Sequence, residues 1–163
     1  MSTPFDLFIV RHAIAFQADA KKWPDDGERP LTPEGIESFR RAARGLRRVA
    51  AGVDIMLSSP MVRARQTADI VHEEAGWPTP QLADELEAGR ASDDVLKLLG
   101  TQKTATVAIV GHEPQLSEIV ELLCGGVIQM KKGAVARLRV KDPHPDGGEL
   151  RWLLPPKVLR NLG

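Results

Sequence analysis

The residues best suited to chemistry in this sequence are two arginines and two histidines, each close to the end of an apolar stretch: Arg11, His12, Arg63 and His112. Arginine forks bind phosphate oxygens in bidentate fashion, and each such hydrogen bond is charge-assisted. Among these side chains only an imidazole can attack phosphorus at neutral pH, which would give a covalent phosphoenzyme. The residue types therefore predict a site for a compact dianion and phosphoryl transfer through a histidine, with arginines holding the equatorial oxygens.

Three predicted strands bring these side chains together. Apolar runs at 5–10, 54–57 and 104–110 are typical of buried strands, and the first and third end at Arg11-His12 and at Gly111-His112. Arg63 lies one turn into the helix after the second strand, and helical side chains lean toward the N-terminus. Ligands of open α/β sheets bind beyond the carboxyl ends of the strands, where helix N-termini add partial positive charge. We therefore expect the four side chains to converge there.

Helix signals separate these strands. Thr32 can cap a helix that has Pro33 at its first position, and the helix then shows an apolar stripe of Ile36, Phe39, Ala43, Leu46 and Ala50. The other predicted helices run from Ser59-Pro60 to Gly76, from a Ser92 cap over about 93–99, and from Glu113-Pro114 to Gly125-Gly126. Two further runs at 134–140 and 149–154 predict an antiparallel hairpin.

Alternating strands and helices indicate parallel βαβ units. The predicted fold class is α/β: a three-layer α/β/α sandwich with a mostly parallel central sheet and a C-terminal antiparallel hairpin. All 163 residues are expected to form one domain.

Composition excludes several function classes. The 22 basic and 22 acidic residues balance, so nothing global favours nucleic acid or an anionic membrane surface. The single cysteine, Cys124, rules out an internal disulfide and suits a reducing compartment, and its neighbours indicate a buried helix face. No leader or membrane span is evident, so we predict a cytoplasmic protein.

The remaining charged candidates are interpreted as surface residues. The arginine run of the first helix is expected to face solvent, and Arg65 is expected to pair with Asp69 one turn later. His72 and His144 are also predicted to lie on the surface.

The motifs around the four residues resemble those of the histidine phosphatase superfamily, also called phosphoglycerate-mutase-like. They are Arg11-His12, SPMVRARQTA at 59–68 and GHEP at 111–114. The RPLTPEG segment at 29–35, the small size and WLLPP at 152–156 are similar to the short, SixA-type branch. Ala13 stands where the wider family often has glycine, and alanine is common in the short branch.

The resemblance implies roles that the residues alone leave open. His12 would be the nucleophile that becomes phosphorylated, a choice between His12 and His112 that the sequence pattern does not make. Arg11, Arg63 and His112 would bind the phosphoryl group and stabilise its transfer, without a metal or other cofactor. The implied partner is a phosphohistidine-bearing protein such as a histidine phosphotransfer domain.

The identity of a general acid stays open. The spacing between Glu85 and a later glycine weakly resembles the glutamate–glycine spacing of the mutases. Asp84, Glu85 and Glu87 are equally consistent with three solvated carboxylates in a loop. If the acid is absent, the substrate should have a leaving group that carries its own proton, as phosphohistidine does. The loop at 18–30 lies beside His12 and is the expected specificity element.

Three alternative functions remain at this stage. The protein could hydrolyse small phosphoesters such as sugar phosphates or nucleotides. It could be a non-catalytic phosphate-binding module, or a metal hydrolase with His12 and His112 as ligands. A metal hydrolase is disfavoured because the site has arginines at the positions where further metal ligands would be needed.

Overall fold

The central feature of the computed structural model, which describes residues 3–163, is one six-stranded sheet. Two 3₁₀ turns, Asp26–Glu28 and Asp84–Leu86, lie in loops on the site side. The regular elements in chain order are β1 (Phe5–Arg11), α1 (Pro33–Val49), β2 (Ile55–Ser58), α2 (Val62–Ala75), β3 (Gln81–Leu82), α3 (Ser92–Thr101), β4 (Thr106–Gly111), α4 (Gln115–Cys124), β5 (Val135–Val140), β6 (Gly148–Leu154) and α5 (Pro156–Leu162).

The sheet has the order β3-β2-β4-β1-β5-β6. Strands β1, β2, β3 and β4 pair in parallel, whereas β5 pairs antiparallel with β1 and with β6. The predicted α/β class, with its mostly parallel sheet and C-terminal hairpin, is confirmed. The register places Arg11 opposite Gly111, so β1 and β4 end side by side.

Alternating side chains of the buried strands pack into two hydrophobic cores, one on each face of the sheet. In β1, Phe8 and Val10 pack toward α1, α2 and α5, whereas Leu7 and Ile9 pack toward α3 and α4. A parallel strand buried on both faces has this near-continuous apolar sequence. The two cores give the predicted three layers. They also fix the orientation of β1 and therefore the position of His12, which follows directly after this strand.

Three of the predicted helix ends are confirmed, and one of them is Gly125, which ends α4 in the left-handed conformation. The Thr32 hydroxyl accepts a hydrogen bond from the Gly35 N–H at 2.9 Å at the start of α1, and Gly76 ends α2 in the left-handed conformation. Gly35 is also required for packing, because a Cβ there would lie 2.2 Å from the Ile14 carbonyl oxygen. This close approach holds the segment after His12 against the N-terminus of α1.

Other helix starts differ from prediction. Ser92 is the first residue of α3 rather than its cap, and its hydroxyl donates instead to the Glu118 carboxylate at 2.8 Å. Helix α2 begins at Val62, later than Ser59-Pro60, and α4 begins at Gln115, after Pro114. Ser59 therefore lies outside the helix, and its hydroxyl can contact the site.

Several surface predictions also have outcomes. His72 and His144 are exposed, as predicted, whereas Cys124 is only half-buried. Between residues 3 and 163 the structure shows no ion pair joining Arg65 to Asp69, and both side chains are exposed. In the same range, no helix has the length and apolar character needed to cross a bilayer.

Candidate active site

The carboxyl ends of β1, β2 and β4 bring three predicted site residues into one buried pocket. The imidazole centroids of His12 and His112 are 5.2 Å apart, and His12, His112 and Arg63 are all buried. The His12 N–H donates to the Gly111 carbonyl at 3.1 Å, which ties the two histidine-bearing segments together. Arg11 completes the group from the last position of β1, half-buried.

The hydrogen bond made by His12 defines its tautomer. Its Nδ1 lies 2.7 Å from the carbonyl oxygen of Ala13. Because a carbonyl oxygen can only accept, Nδ1 must carry the proton, and Nε2 therefore presents a free lone pair. The pKa of His12 is lowered to about 4, mainly by burial and in part by the charges of Arg63, Arg11 and Lys132, while the Ala13 hydrogen bond opposes the shift. At neutral pH His12 is an uncharged imidazole that can act as a nucleophile.

His112 is held by a serine that the sequence offered only as a helix cap. Its Nε2 lies 2.8 Å from the Ser59 hydroxyl, and that hydroxyl accepts a hydrogen bond from the Met61 N–H at 3.2 Å. Burial lowers the pKa of His112 to about 3, with His12 and Arg63 adding to the effect. Its Nδ1 is buried without a hydrogen-bond partner in residues 3–163.

Arg63 reaches back from α2 as predicted and meets the loop beside the site. Its Nη1 donates to the Asp26 carbonyl at 2.9 Å, and its Nη2 lies 3.1 Å from the Asp26 carboxylate. The same carboxylate accepts from Arg29 Nε at 2.8 Å, so Asp26 joins two arginines. Burial lowers the pKa of Arg63, and Arg29 lowers it further, while Asp26 opposes both.

Arg11 is fixed from the opposite side. Its Nη1 donates to the Met130 carbonyl at 2.7 Å, in the segment that leads from α4 to β5. Burial lowers the pKa of Arg11, and the nearby charge of Glu113 raises it. The two arginines thus enter the pocket from separately anchored directions.

A threonine that sequence reasoning missed connects the two sides. The Thr67 hydroxyl accepts from the Ala13 N–H at 2.9 Å and donates to the Arg63 carbonyl at 2.8 Å. Thr67 stands one helical turn after Arg63, so the same face of α2 presents both residues; that spacing was the available signal. Its role is to fix the backbone beside the His12 imidazole.

Three residues of the site carry buried polar atoms that have no hydrogen-bond partner in residues 3–163. These atoms are Nε of Arg11, Nε of Arg63 and Nδ1 of His112. Buried polar atoms are almost always hydrogen-bonded in folded proteins, so a group of unpaired ones indicates where a ligand supplies the partners. Nε–H groups of two arginines suit the oxygens of a bound phosphoryl group.

Within residues 3–163, the Glu85 carboxylate makes no hydrogen bond or ion pair with these residues. Glu85 lies in the Asp84–Leu86 turn and lines an open groove with Arg90, Asp94 and Lys97 beside α3. Its backbone carbonyl accepts from Gln115, but across residues 3–163 no hydrogen bond or ion pair links its carboxylate to His12, Arg63 or His112. An acid role for Glu85 stays a prediction. No group of three or more His, Cys, Asp or Glu that could hold a metal occurs in the described range.

Comparisons with known proteins agree with this geometry. The sequence profile of the histidine phosphatase superfamily (branch 1) matches residues 7–89. An uncharacterized protein of Picosynechococcus sp. is 32% identical, over 92% of this chain and 99% of its own. Phosphohistidine phosphatase SixA of Escherichia coli is 28% identical, over 94% of this chain and 96% of its own.

A solved structure of the protein histidine phosphatase SixA complexed with tungstate has the same fold. It superposes with a TM-score of 0.82 and 27% identity, covering 95% of this chain and 99% of that chain. The strand ends, the paired histidines and these similarities lead to one conclusion: the chain belongs to branch 1 of the histidine phosphatase superfamily and is a homologue of the SixA phosphohistidine phosphatases.

Proposed function

We propose that the protein removes phosphate from phosphohistidine on a partner protein, through a phosphoenzyme formed on His12. The observation that carries this proposal is the hydrogen bond from His12 Nδ1 to the Ala13 carbonyl at 2.7 Å. It leaves Nε2 unprotonated inside a pocket that also holds two arginines and a second neutral histidine.

In the first step Nε2 of His12 attacks phosphorus, and the bond from phosphorus to the leaving group breaks. Arg11 and Arg63 bind the equatorial oxygens, where negative charge must be stabilised in the transition state. With His112 in the tautomer that carries its proton on Nδ1, the Ser59 hydroxyl donates to Nε2, and the Nδ1–H can donate to a third phosphoryl oxygen.

In the second step water attacks phosphorus, and His12 leaves as a neutral imidazole. The Ala13 carbonyl retains the proton on Nδ1 throughout, so the phosphorylated ring is an imidazolium and leaves readily. No residue has to supply a proton to His12. The chain's own groups thus account for both steps, and we propose that catalysis needs no metal.

The choice of a protein-borne phosphohistidine as the substrate is supported by two features. The relatives with the highest coverage include phosphohistidine phosphatases, and a neutral imidazole leaving group needs no separate acid. This second feature matches the described residues, among which no hydrogen bond or ion pair joins Glu85 to His12. A cytoplasmic location and a histidine phosphotransfer domain as the partner belong to the same proposal.

The test is to incubate the purified protein, in chelator, with a phosphohistidine-labelled carrier protein and to follow loss of label, with an aryl phosphate for comparison. We expect rapid loss that disappears in His12→Ala and persists in His144→Asn, an exposed histidine far along the chain. Hydrolysis of the aryl phosphate alone would indicate that small phosphate esters, and not phosphohistidine, are the substrates. Turnover of neither compound, with phosphate still bound, would leave a binding module, and loss of activity in chelator would favour a metal hydrolase.

A further inference from the structure

The segment that follows the candidate nucleophile exposes large apolar side chains. Ile14 and Phe16, two and four positions after His12, are 49% and 37% exposed. The Phe16 ring centroid lies 5.4 Å from that of Trp23, whose side chain is half-buried. We call Ile14, Phe16 and Trp23 the apolar rim. A group of exposed apolar side chains beside a binding pocket marks an interaction surface.

The backbone holds the rim in a fixed orientation. The Ile14 carbonyl accepts a hydrogen bond from the Thr32 N–H, and the Phe16 N–H donates to the Pro30 carbonyl, both at 3.1 Å. Alternate side chains of such an extended segment lie on the same face. Ile14 and Phe16 therefore share the outer face, while Ala15 between them is buried.

Hydrogen bonds join the rim to the phosphate-binding side of the pocket. The Phe16 carbonyl accepts from Arg29 Nη1 at 2.6 Å, and Arg29 Nε donates to the Asp26 carboxylate at 2.8 Å. The same carboxylate lies 3.1 Å from Arg63 Nη2. The rim is thus connected to an arginine of the site through two residues, and it lies at the border of the pocket.

Lysines flank the rim at both ends. Lys22 Nζ lies 6.0 Å from the centroid of the Trp23 ring, and Lys132 lines a small cavity together with Ile14. Both lysines are exposed, and neither forms an ion pair within residues 3–163. Their ammonium groups are available to attract an acidic surface.

Most carboxylates of the same loop are already bound within the protein. Asp19 and Asp25 each accept a hydrogen bond at 2.9 Å from a backbone N–H two residues later, and Asp26 pairs with two arginines. The fourth acidic residue of positions 13–30, Glu28, is exposed. The lysines are therefore the charges that a partner meets directly beside the rim.

Access to the pocket requires a protein substrate to approach this border. His12, Arg63 and His112 are at most 6% exposed. A phosphohistidine extends from its own backbone by no more than one side chain, so the protein that carries it must contact the border of the pocket when phosphorus meets His12. A small phosphoramidate carries no such surface.

We propose that the apolar rim is the docking surface for the phosphohistidine-bearing partner. The partner covers Phe16 and Trp23 with apolar side chains that adjoin its phosphohistidine, and it places acidic side chains beside Lys22 and Lys132. This inference rests on the proposed function, and it deepens it by naming the residues that distinguish a protein substrate from a small phosphoramidate.

The test compares kcat/KM for two substrates: a histidine phosphotransfer domain phosphorylated on histidine, and N-phosphoimidazole, which has the same chemistry without a protein surface. Phe16→Ser and Trp23→Ser remove the rim. Val49→Ser is the matched control, since Val49 is also 37% exposed but lies at the opposite end of α1 from this loop. Aromatic anchors dominate the energetics of interfaces, so we expect each rim variant to lose about tenfold to hundredfold on the domain and less than about twofold on N-phosphoimidazole.

The lysines give a second measurement. Lys22→Glu should lose about threefold to tenfold on the phosphorylated domain at low ionic strength, and the loss should shrink as salt is added. Turnover of N-phosphoimidazole by the same variant should stay unchanged, which also shows that the variant is folded.

Three results would overturn the docking assignment. They are equal losses of the rim variants on both substrates, no loss on either, and turnover of N-phosphoimidazole but not of the phosphorylated domain by the unaltered protein. A dimer of the unaltered protein that dissociates in Phe16→Ser would assign the rim to a second copy of this chain and would also overturn it. Failure of the proposed function looks different, because the unaltered protein would then hydrolyse an aryl phosphate and neither phosphohistidine compound.

Discussion

Among the clusters of residues 3–163 that pair two arginines with carboxylates, the one at the site and the one on the outer face of α1 and α2 differ in burial. At the site, Asp26 joins Arg63 and Arg29, and the Arg63 side chain is only 5% exposed. On the outer face of α1 and α2, Arg40 and Arg44 pair with Glu73 and Glu74, at exposures of 39% and 51% for the arginines.

The arginine pKa shifts in opposite directions in the two clusters, although both pair arginines with carboxylates. Hydrogen bonds to Glu73 and Glu74 raise the pKa of Arg40, whereas burial lowers the pKa of Arg63. Solvent screens the outer cluster and leaves it a modest stabilising contact. In the buried cluster the guanidinium keeps an unpartnered Nε–H, so it retains capacity for an anion. Burial, more than the number of charges, therefore distinguishes a binding arginine from a surface arginine.

The largest test of this comparison is to truncate one arginine from each cluster. Arg63→Ala should lower kcat/KM for an aryl phosphate by about 10²–10³-fold, because it removes a buried donor to the phosphoryl oxygens. Arg40→Ala should change kcat/KM by less than about twofold and the free energy of unfolding by less than about 1 kcal/mol. Steady-state kinetics and urea unfolding measure both quantities. Similar kinetic losses in the two variants would contradict the distinction.

A smaller effect is expected at the serine that orients His112. Ser59→Ala removes one hydrogen bond to Nε2 and should lower kcat about threefold to tenfold, with little change in KM. Ser92→Ala is the matched control, since Ser92 is also buried and hydrogen-bonded, but its hydrogen-bond partner is Glu118 on α4. An unchanged kcat in Ser59→Ala would show that packing alone orients His112.

The buried histidines should also make stability depend on pH. An unfolded histidine titrates near 6.5, and the pKa of His12 is about 4 in the folded protein. Between these values the unfolded chain binds the proton that the folded chain does not, so the free energy of unfolding rises with pH across this window. His12→Asn should reduce that slope by up to about 1.4 kcal/mol per pH unit.

Urea unfolding at several pH values between 4.5 and about 7 measures this slope. His144→Asn serves as the comparison, because its side chain is 75% exposed and is not desolvated on folding. Equal slopes in the unaltered protein and in His12→Asn would show that His12 becomes protonated in the folded state near its ordinary pKa.

The strands that carry the site could be predicted from the sequence because they are buried on both faces. Residues 5–10 and 104–110 are mostly apolar, and Arg or His follows directly or after one glycine. Strand β3 gives no such signal, since it has two residues and both are exposed. Helix α5 begins at the second of two consecutive prolines, and Leu159 is its only buried residue, so its pattern is equally weak.

The polar residues around the pocket were harder to predict because their partners are distant in the chain. Asp26 meets Arg63 across 37 positions, Ser59 meets His112 across 53, and Thr67 meets Ala13 across 54. Only the folded sheet brings these pairs together, and no local periodicity encodes them.

The position of β1 in the sheet also determines how the site moves. Its backbone is hydrogen-bonded to β4 on one side and to β5 on the other, and the His12 carbonyl accepts from Gly133 beyond the last pair. Central strands of this kind open only with global unfolding, whereas edge strands and loops fray at little cost in free energy. The candidate nucleophile therefore stays in place through local fluctuations, and any opening of the site falls to the Asp26 loop, which contacts Arg63.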